Sequence, residues 1–492
     1  MAVPARNLLF LMSDQHNRAM AGCYGHPAVR TPNLDLIASR GVRFTSAYCN
    51  CPICVPSRAS MATGRYVHQL GLWDNAFPYT GGAASWGHRL AEHGHTVTTI
   101  GKLHYRDPAD DTGFPDQRIP MHVHEGVGEL YTLIRSGMGV REASRDRVTN
   151  AGIGESSYTT YDRAIADEAC RWLGREGRER AAPWVLFVSF ATPHHPWIAP
   201  PEFAALYPPE SVPLPAQYRL AERPRHPVLD EIRRVQNVAD EFDEDVLRRA
   251  IAAYFGLCTF MDAQVGRVLG ALREAGLEDS TRIIYTSDHG ESLGEHGLWW
   301  KSTMYEGSAG VPLLFAGPDL PAGSVVDTPV SLVDCFPTIL ECAGVPPSPD
   351  DGDLPGTSLF RAAGGEDGRG TVFSEYHAAS SSTGYFMIRG RHYKYVEYVG
   401  EPPQLFDLAD DPGELRDLGC DPRYRDVVDR CAAELRRICD PEDVDRLAHR
   451  DQRRKMDEHG GEAAIRARGP RFNYGTPAPA QFPRAAAGED RL

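Results

Sequence analysis

Four polar clusters in this sequence each follow a short apolar run. Asp14-Gln15 comes after Asn7 to Met12, and Lys102 with His104 after Val97 to Ile100. His194-His195 comes after Trp184 to Phe190, and Asp288-His289 after Ile283 to Thr286. Four strand ends would thus deliver carboxylates, imidazoles and an amine to one edge, groups that can hold a cation, move protons and bind an oxyanion. A lone histidine in such a place is usually a solvated loop residue, and Asp14 alone could be an ordinary strand-end carboxylate. Four such ends together are much harder to dismiss. A fifth stretch reads Cys54-Val55-Pro56-Ser57-Arg58-Ala59-Ser60-Met61-Ala62-Thr63-Gly64-Arg65. Pro56 and Ser57 suit a helix start, which puts Cys54 at the positive end of the helix. A thiol pKa is expected to fall there, and anions to gather. Cys49 and Cys51 leave a structural zinc site as another use for Cys54, although no fourth ligand is obviously spaced.

These clusters need a scaffold that gathers them. Apolar runs bounded by polar residues read as strands buried on both faces of a parallel sheet, and ligands bind outside the carboxyl ends of such strands. Val311 to Ala316 is a further strand candidate. Thr31-Pro32 opens a helix, and helical patterns run from Asp162 to Leu173 and from Leu247 to Leu272. Strands alternating with helices point to an α/β layer architecture over residues 1–365. Beyond the glycine-rich stretch at 364–368 the pattern changes. Thr371 to Tyr376, Gly384 to Arg389 and His392 to Tyr398 read as a meander, and Arg423 to Ile438 as a charged helix. A C-terminal subdomain is therefore expected over 366–440, and a polar tail over 441–492.

The chain has 492 residues, 42% hydrophobic and 24% charged, with a formal net charge of -15. That length suggests more than one hydrophobic core. The acidic balance argues against nucleic acid as the main partner. No run approaches the roughly 20 apolar residues of a membrane span, and Leu8 to Met12 is too short for a secretory leader. The expectation is a cytoplasmic protein without a membrane partner. Eleven cysteines, an odd number, favour reduced thiols over a disulfide framework.

The Cys54 stretch resembles the signature of the sulfatase family, within the alkaline phosphatase superfamily: Cys or Ser, any residue, Pro, Ser, Arg, four residues, then Thr-Gly. Asp288-His289-Gly290-Glu291 with Gly297-Leu298 and Lys301, Gly101-Lys102-Leu103-His104 and Pro193-His194-His195-Pro196 are similar to further elements of that family. So are Tyr393-Lys394-Tyr395 and Leu405-Phe406-Asp407-Leu408 with Asp411-Pro412-Gly413-Glu414. The resemblance implies a large mixed, mostly parallel sheet sandwiched by helices, alkaline phosphatase-like, with a smaller C-terminal α+β domain. It implies one divalent cation (Ca2+, Mn2+ or Mg2+) on Asp14, Gln15, Asp288, His289 and residue 54. Residue 54 would be 3-oxoalanine (formylglycine), made from Cys54 by a maturation enzyme. A hydroxyl of the hydrated aldehyde attacks sulfur, His194 with Lys301 protonates the leaving oxygen, and His104 deprotonates the second hydroxyl to release sulfate. Arg58 and Lys102 hold the diol and the sulfate oxygens.

The implied activity is hydrolysis of a small sulfate ester. Asp14-Gln15 and His289 look like the choline sulfatase and phosphonate monoester hydrolase forms of the family. Asn75 and Glu375 resemble substrate-contacting positions of choline sulfatases. Choline would need an aromatic cage, with Trp73, Tyr105, Tyr131, Trp197, Trp299 and Trp300 as candidates. The stretch Pro108 to Ser157 does not look like the tryptophan-bearing segment of those enzymes. Its Arg135, Arg141, Arg145 and Arg147 suggest an acidic or highly polar leaving group, or else a solvated charged helix. The substrate is therefore read as an alkyl or aryl sulfate. A phosphonate monoester hydrolase or phosphodiesterase is the first alternative, and a non-enzymatic binding protein with unmodified Cys54 the second. By resemblance, the segment from Arg471 to Phe482 docks on a neighbouring subunit of a homo-oligomer.

Overall fold

A computed structural model describes residues 3–366, 370–470 and 476–482. The eight strands of its main sheet are β1 (Asn7–Asp14), β2 (Gly41–Phe44), β3 (Val97–Lys102), β4 (Asp116–Met121), β5 (Val185–Pro193), β6 (Thr281–Ser287), β7 (Leu313–Ala316) and β8 (Ser324–Val326). Their order across the sheet is β8-β2-β7-β6-β1-β5-β3-β4, and only β7 runs against its neighbours. The central strand shows why an unbroken apolar run was needed. Leu8, Phe10 and Met12 enter one core, while Leu9 and Leu11 enter another on the opposite face. Truncating any of the leucines to alanine should cost about 2–5 kcal/mol.

Helices cover both faces, as expected of a mostly parallel sheet. On the Leu9 face lie α3 (Ser157–Trp172), through Tyr161, Ile165 and Ala169, and α4 (Glu244–Glu274), through Met261, Val265 and Leu272. On the Leu8 face lie α1 (Cys54–Thr63) and α5 (Cys335–Ala343). The same core takes in the C-terminal antiparallel sheet of β9 (Val372–Tyr376), β10 (Tyr385–Arg389), β11 (Tyr393–Tyr398) and β12 (Glu401–Asp407). Another helix, α2 (Glu142–Thr149), lies in the stretch between β4 and α3.

The stretch after 440 differs from the expected polar tail. Following α6 (Arg425–Ile438), it forms α7 (Pro441–Glu458) and α8 (Gly461–Arg468). The start of α7 is well specified: the Asp440 side chain accepts from Asp443 N, and Pro441 sits in the first turn. Its buried face is Val444, Ala448, Gln452 and Met456, a four-residue spacing that the surrounding charge concealed. Residues Arg471 to Tyr474 lie outside the described residues. Residues 476–482 pack on their own chain: Tyr158 Oη donates to Thr476 O at 2.5 Å, and the Phe482 ring is 5.2 Å from Tyr161. No helix among the described residues is long and apolar enough to cross a membrane. All eleven cysteines are free thiols.

Candidate active site

The carboxyl ends of β6, β1, β5 and β3, consecutive in the sheet, bring Asp288-His289, Asp14-Gln15, His194-His195 and Lys102 to His104 to one edge. Single ligand atoms of Asp14, Asp288, His289 and Cys54 lie within 4.8 Å of one another, all buried. His289 Nδ1 is 3.0 Å from Gly290 O, which makes that nitrogen the donor and leaves Nε2 bare, 3.1 Å from Cys54 Sγ. Lys301 Nζ donates to Gln15 Oε1 at 2.6 Å and lies 3.3 Å from Cys54 Sγ. Two carboxylates, a bare imidazole nitrogen and an adjacent amide oxygen fit a divalent cation.

Arg58 ties this set together from inside α1. Its Nε donates to Asp288 Oδ2 at 2.8 Å and its Nη2 to Asp14 Oδ2 at 3.0 Å. Its Nη1 donates to Lys102 O and Ser189 Oγ. Lys102 Nζ is 2.7 Å from the same Asp14 oxygen. Burial alone would raise the Asp14 pKa, but the Lys102 and Arg58 cations hold the carboxyl well below its usual range. Both cations were expected to hold the diol and the sulfate oxygens; in the structure the Arg58 head is bound to Asp14 and Asp288, and the Lys102 head lies beside Asp14.

The start of α1 is held by Asn75, whose Oδ1 accepts from Val55 N at 3.1 Å, and by Ser57 Oγ, which donates to Asp288 O at 2.5 Å. Gly64 ends the helix in the left-handed region, at φ 69°. The Cys54 thiol is not activated as expected. Burial, followed by Asp14, pushes it up to about 11. Burial also pushes up Cys49 and Cys51. Among the described residues, Cys54 groups with Asp14, Asp288 and His289 as a metal set, not with those thiols.

One cavity is lined by Cys54, Asn75, His104, His194 and Lys301. Burial, then Lys102 and Arg58, holds His104 well below its ordinary pKa; burial, then Lys301, does the same to His194. Both are therefore neutral. Neither His104 ring nitrogen has a hydrogen-bond partner, while His194 Nδ1 is 2.6 Å from His195 O.

Two residues expected to touch substrate are placed outside this cavity. Glu375 is buried on β9, where its carboxylate accepts from His68 N and pairs with the rings of His68 and His377 at 2.9 Å each. Tyr105 is buried between Tyr79 and Phe114. Of the six cage candidates only Trp300 lines the cavity, and Arg147 already covers its ring at 5.2 Å.

The sequence reading assigned Glu291 no role, although it stands in the Asp288 motif. Its Oε2 accepts from Gln15 Nε2 at 2.5 Å, and its Oε1 from Leu293 N at 2.8 Å and Trp300 N at 2.6 Å. It therefore ties the Gln15 amide to the loop that carries Lys301. Tyr376 and Tyr385 clamp the other side of that loop, donating to Ser302 Oγ at 2.8 Å and Ser302 O at 2.5 Å. An acid two residues past a strand-end ligand was the available signal for Glu291. Nothing comparable marked the tyrosines.

The chain matches the Sulfatase family model over residues 6–345, and the N-sulphoglucosamine sulphohydrolase C-terminal model over residues 294–440. It is 30% identical over 467 residues to arylsulfatase K of Danio rerio, covering 90% of this chain and 86% of that protein. It is 32% identical over 435 residues to the choline-sulfatase of Rhizobium meliloti (strain 1021), covering 85% and 83%. The phosphonate monoester hydrolase of Agrobacterium radiobacter shares the fold at a TM-score of 0.71 and 27% identity, over 87% of this chain and 94% of that one.

Proposed function

Since this chain belongs to the sulfatase family and is a sulfuric ester hydrolase, we propose that it cleaves an alkyl or aryl sulfate monoester with formylglycine made from Cys54 and one divalent cation. The observation that carries this reading is the convergence on Cys54 Sγ of His289 Nε2 at 3.1 Å and Lys301 Nζ at 3.3 Å, beside two buried carboxylates. A cation on Asp14, Gln15, Asp288 and His289 would neutralise sulfate oxygens, and the hydrated aldehyde would supply one hydroxyl to attack and a second for release.

The chain's own residues do the rest. Arg58 and Lys102 keep Asp14 anionic, and Arg58 fixes the outer oxygens of both carboxylates. Lys301 sits where the leaving oxygen needs a proton, and His194 shares its cavity. His104, neutral and with both ring nitrogens free of hydrogen bonds, is suited to take the later proton. A formylglycine-generating enzyme would act on Cys54 first, since a thiol lacks the pair of hydroxyls that attack and release require.

Peptide mass spectrometry across Cys54, on protein from its own host, tests this directly. The aldehyde is expected, and an intact thiol in active protein would sink the mechanism. The Gln15 and His289 positions and the likeness to the phosphonate monoester hydrolase support a second reading, in which that ester class is preferred. Comparing kcat/KM for an aryl sulfate and an aryl phosphonate separates the two. Sulfate turnover far below phosphonate turnover would favour the second.

A further inference from the structure

Asp162 is a buried carboxylate that the steps above leave unused. It stands on α3, and no cation pairs with it among the described residues. An ionised group without a counter-ion is costly to bury, and burial pushes this one up to about 7. Its bonds all go to one place. Oδ1 accepts from Ala191 N at 2.7 Å, and Oδ2 accepts from Thr192 N at 2.8 Å and from Thr192 Oγ at 2.5 Å.

Those two residues stand immediately before Pro193-His194 at the end of β5. The sheet ladder does not fix them. Met12 of β1 pairs with Ser189, but Asp14 pairs with Pro193, so Ala191 and Thr192 fall in an irregular stretch of the register. His194 N donates back to Ala191 O at 3.2 Å. The turn that carries His194 therefore hangs from Asp162 at Ala191 N and Thr192 N. The same helix meets the imidazole one turn earlier, where the Tyr158 ring lies 5.8 Å from the His194 ring and 5.7 Å from Lys102 Nζ. His194 Nδ1 is the donor to His195 O at 2.6 Å, which leaves Nε2 to face a substrate oxygen. Where Nε2 stands is set by the height of the 191–194 turn.

We propose that Asp162 is the positioning residue for His194, placing its imidazole against the leaving oxygen of the ester. This rests on the assignment of His194 to leaving-group protonation above. Satisfying two buried N–H groups serves folding as well, so the measurement has to read the imidazole and not folding.

The test uses phenyl sulfate and para-nitrophenyl sulfate on the matured holoenzyme. Because kcat/KM runs only as far as ester cleavage, later release of sulfate does not enter. A phenolate leaves poorly without a proton, whereas a nitrophenolate leaves readily without one. Loss of a placed imidazole should therefore lower the phenyl-to-nitrophenyl ratio of kcat/KM. The ratio is internal to each variant, so partial loss of folded or aldehyde-bearing protein does not move it. His194→Ala sets the full drop. In Asp162→Asn one oxygen still accepts, but an NH2 opposes Thr192 N and the turn must shift, so the ratio should fall roughly 10- to 100-fold. The double variant should match His194→Ala. Asp262→Asn removes another buried carboxylate, one that holds Asn33 N and Leu34 N, and should leave the ratio alone. A ratio unchanged in Asp162→Asn while His194→Ala lowers it, a further drop in the double variant, or an equal drop in Asp262→Asn overturns the positioning and leaves the sulfate reading intact. If His194→Ala does not move the ratio, the proton-delivery reading fails, and kcat/KM per aldehyde-bearing enzyme decides the positioning. It stands if Asp162→Asn costs nothing more in the His194→Ala background, and falls if the loss is undiminished there. Inert sulfates would remove the sulfate reading, and the matching aryl phosphonates then carry the same comparison.

Discussion

Glu291→Gln is the sharpest perturbation that the site offers. A carboxylate only accepts hydrogen bonds, and Glu291 accepts three, from Gln15 Nε2, Leu293 N and Trp300 N. That fixes the Gln15 amide with its oxygen toward Lys301 Nζ, at 2.6 Å, and toward the cation site. A glutamine at 291 has one acceptor oxygen and one donor amide. If its oxygen keeps the two backbone N–H groups, its NH2 opposes Gln15 Nε2, and Gln15 must flip a donor toward Lys301 and the cation. Losing one charge-assisted bond and leaving a buried donor unsatisfied costs about 2 kcal/mol, or roughly 30-fold in cation affinity. Groups that orient metal ligands commonly have effects of about that size. Burial pushes the Glu291 carboxyl up to about 7, so the measurement belongs above that pH, where it is ionised. Chelator competition reads the affinity directly, without turnover. The exchange Gln15→Glu with Glu291→Gln restores a donor facing an acceptor, and should recover most of the loss. If Glu291→Gln binds the cation within twofold of wild type, or if the exchange is no better than the single variant, the orientation argument is wrong.

Tyr385→Phe removes the 2.5 Å bond to Ser302 O; a loss of about 1 kcal/mol should lower kcat roughly fivefold with thermal stability little changed, and an unaltered kcat would show that the tyrosine does not place Lys301. The Glu375 carboxyl sits at about 2 against an ordinary 4.5, because His68 and then His377 outweigh burial; at about 1.36 kcal/mol per pH unit this is on the order of 3 kcal/mol. That stabilisation is present above 4.5 and lost as pH falls toward 2, while the raised His68 pKa adds a part that is lost as pH rises past 6.5. The urea midpoints of wild type and Glu375→Gln should therefore differ most between 4.5 and 6.5, and a gap that stays constant on acidification would contradict this. Removing everything beyond Pro470 takes Thr476 from the cavity wall and Phe482 from Tyr161; KM should rise about threefold to tenfold, and an unchanged KM would mean that the segment does not shape the site.

The strand ends were legible because a strand buried on both faces must be continuously apolar, so the polar residues that follow it mark the sheet edge. Asp14, Lys102, His194 and Asp288 all stand within a few residues of the end of such a run. Cys54 was legible from Pro56 and Ser57, but its thiol pKa was not: a helix start predicts a fall, and only three dimensions reveal that Asp14 and full burial reverse it. Arg58 and Lys102 were found as cations, but their pairing with Asp14 and Asp288 was not legible, because spacing does not say where a guanidinium's donors end. Glu375 and Tyr105 failed for a related reason. Glu375 lies on a buried strand and Tyr105 is buried in the loop after β3, and proximity in sequence to site residues says nothing of which way such side chains face. Helix α7 was hidden by its composition, its apolar stripe being narrow and interrupted by Gln452, which is buried because it donates to Asp74 Oδ2 and His377 O.

Backbone conformation supplies a reason why the site stays assembled. Gln15, His104, Trp300 and Ser302 all have left-handed φ, at 65°, 58°, 60° and 75°. None is glycine, and each such conformation costs of order 1–3 kcal/mol unless its surroundings impose it. The surroundings do so with hydrogen bonds to the strained units themselves. Gln15 N donates to Asp288 Oδ1 at 3.1 Å, and Gln15 O accepts from Tyr254 at 2.6 Å. His104 N donates to Met121 O at 2.9 Å. Trp300 is held at N by Glu291 and at O by Ser292 N, each at 2.6 Å, and Ser302 at N by Pro52 O and at O by Tyr385. Each strained residue either bears a functional side chain or flanks Lys301. The partners come from β4, α4, the Asp288 loop, the Cys54 loop and the C-terminal sheet. That sheet therefore supports the candidate site, because without Tyr385 one side of the strained loop around Lys301 would lose its anchor.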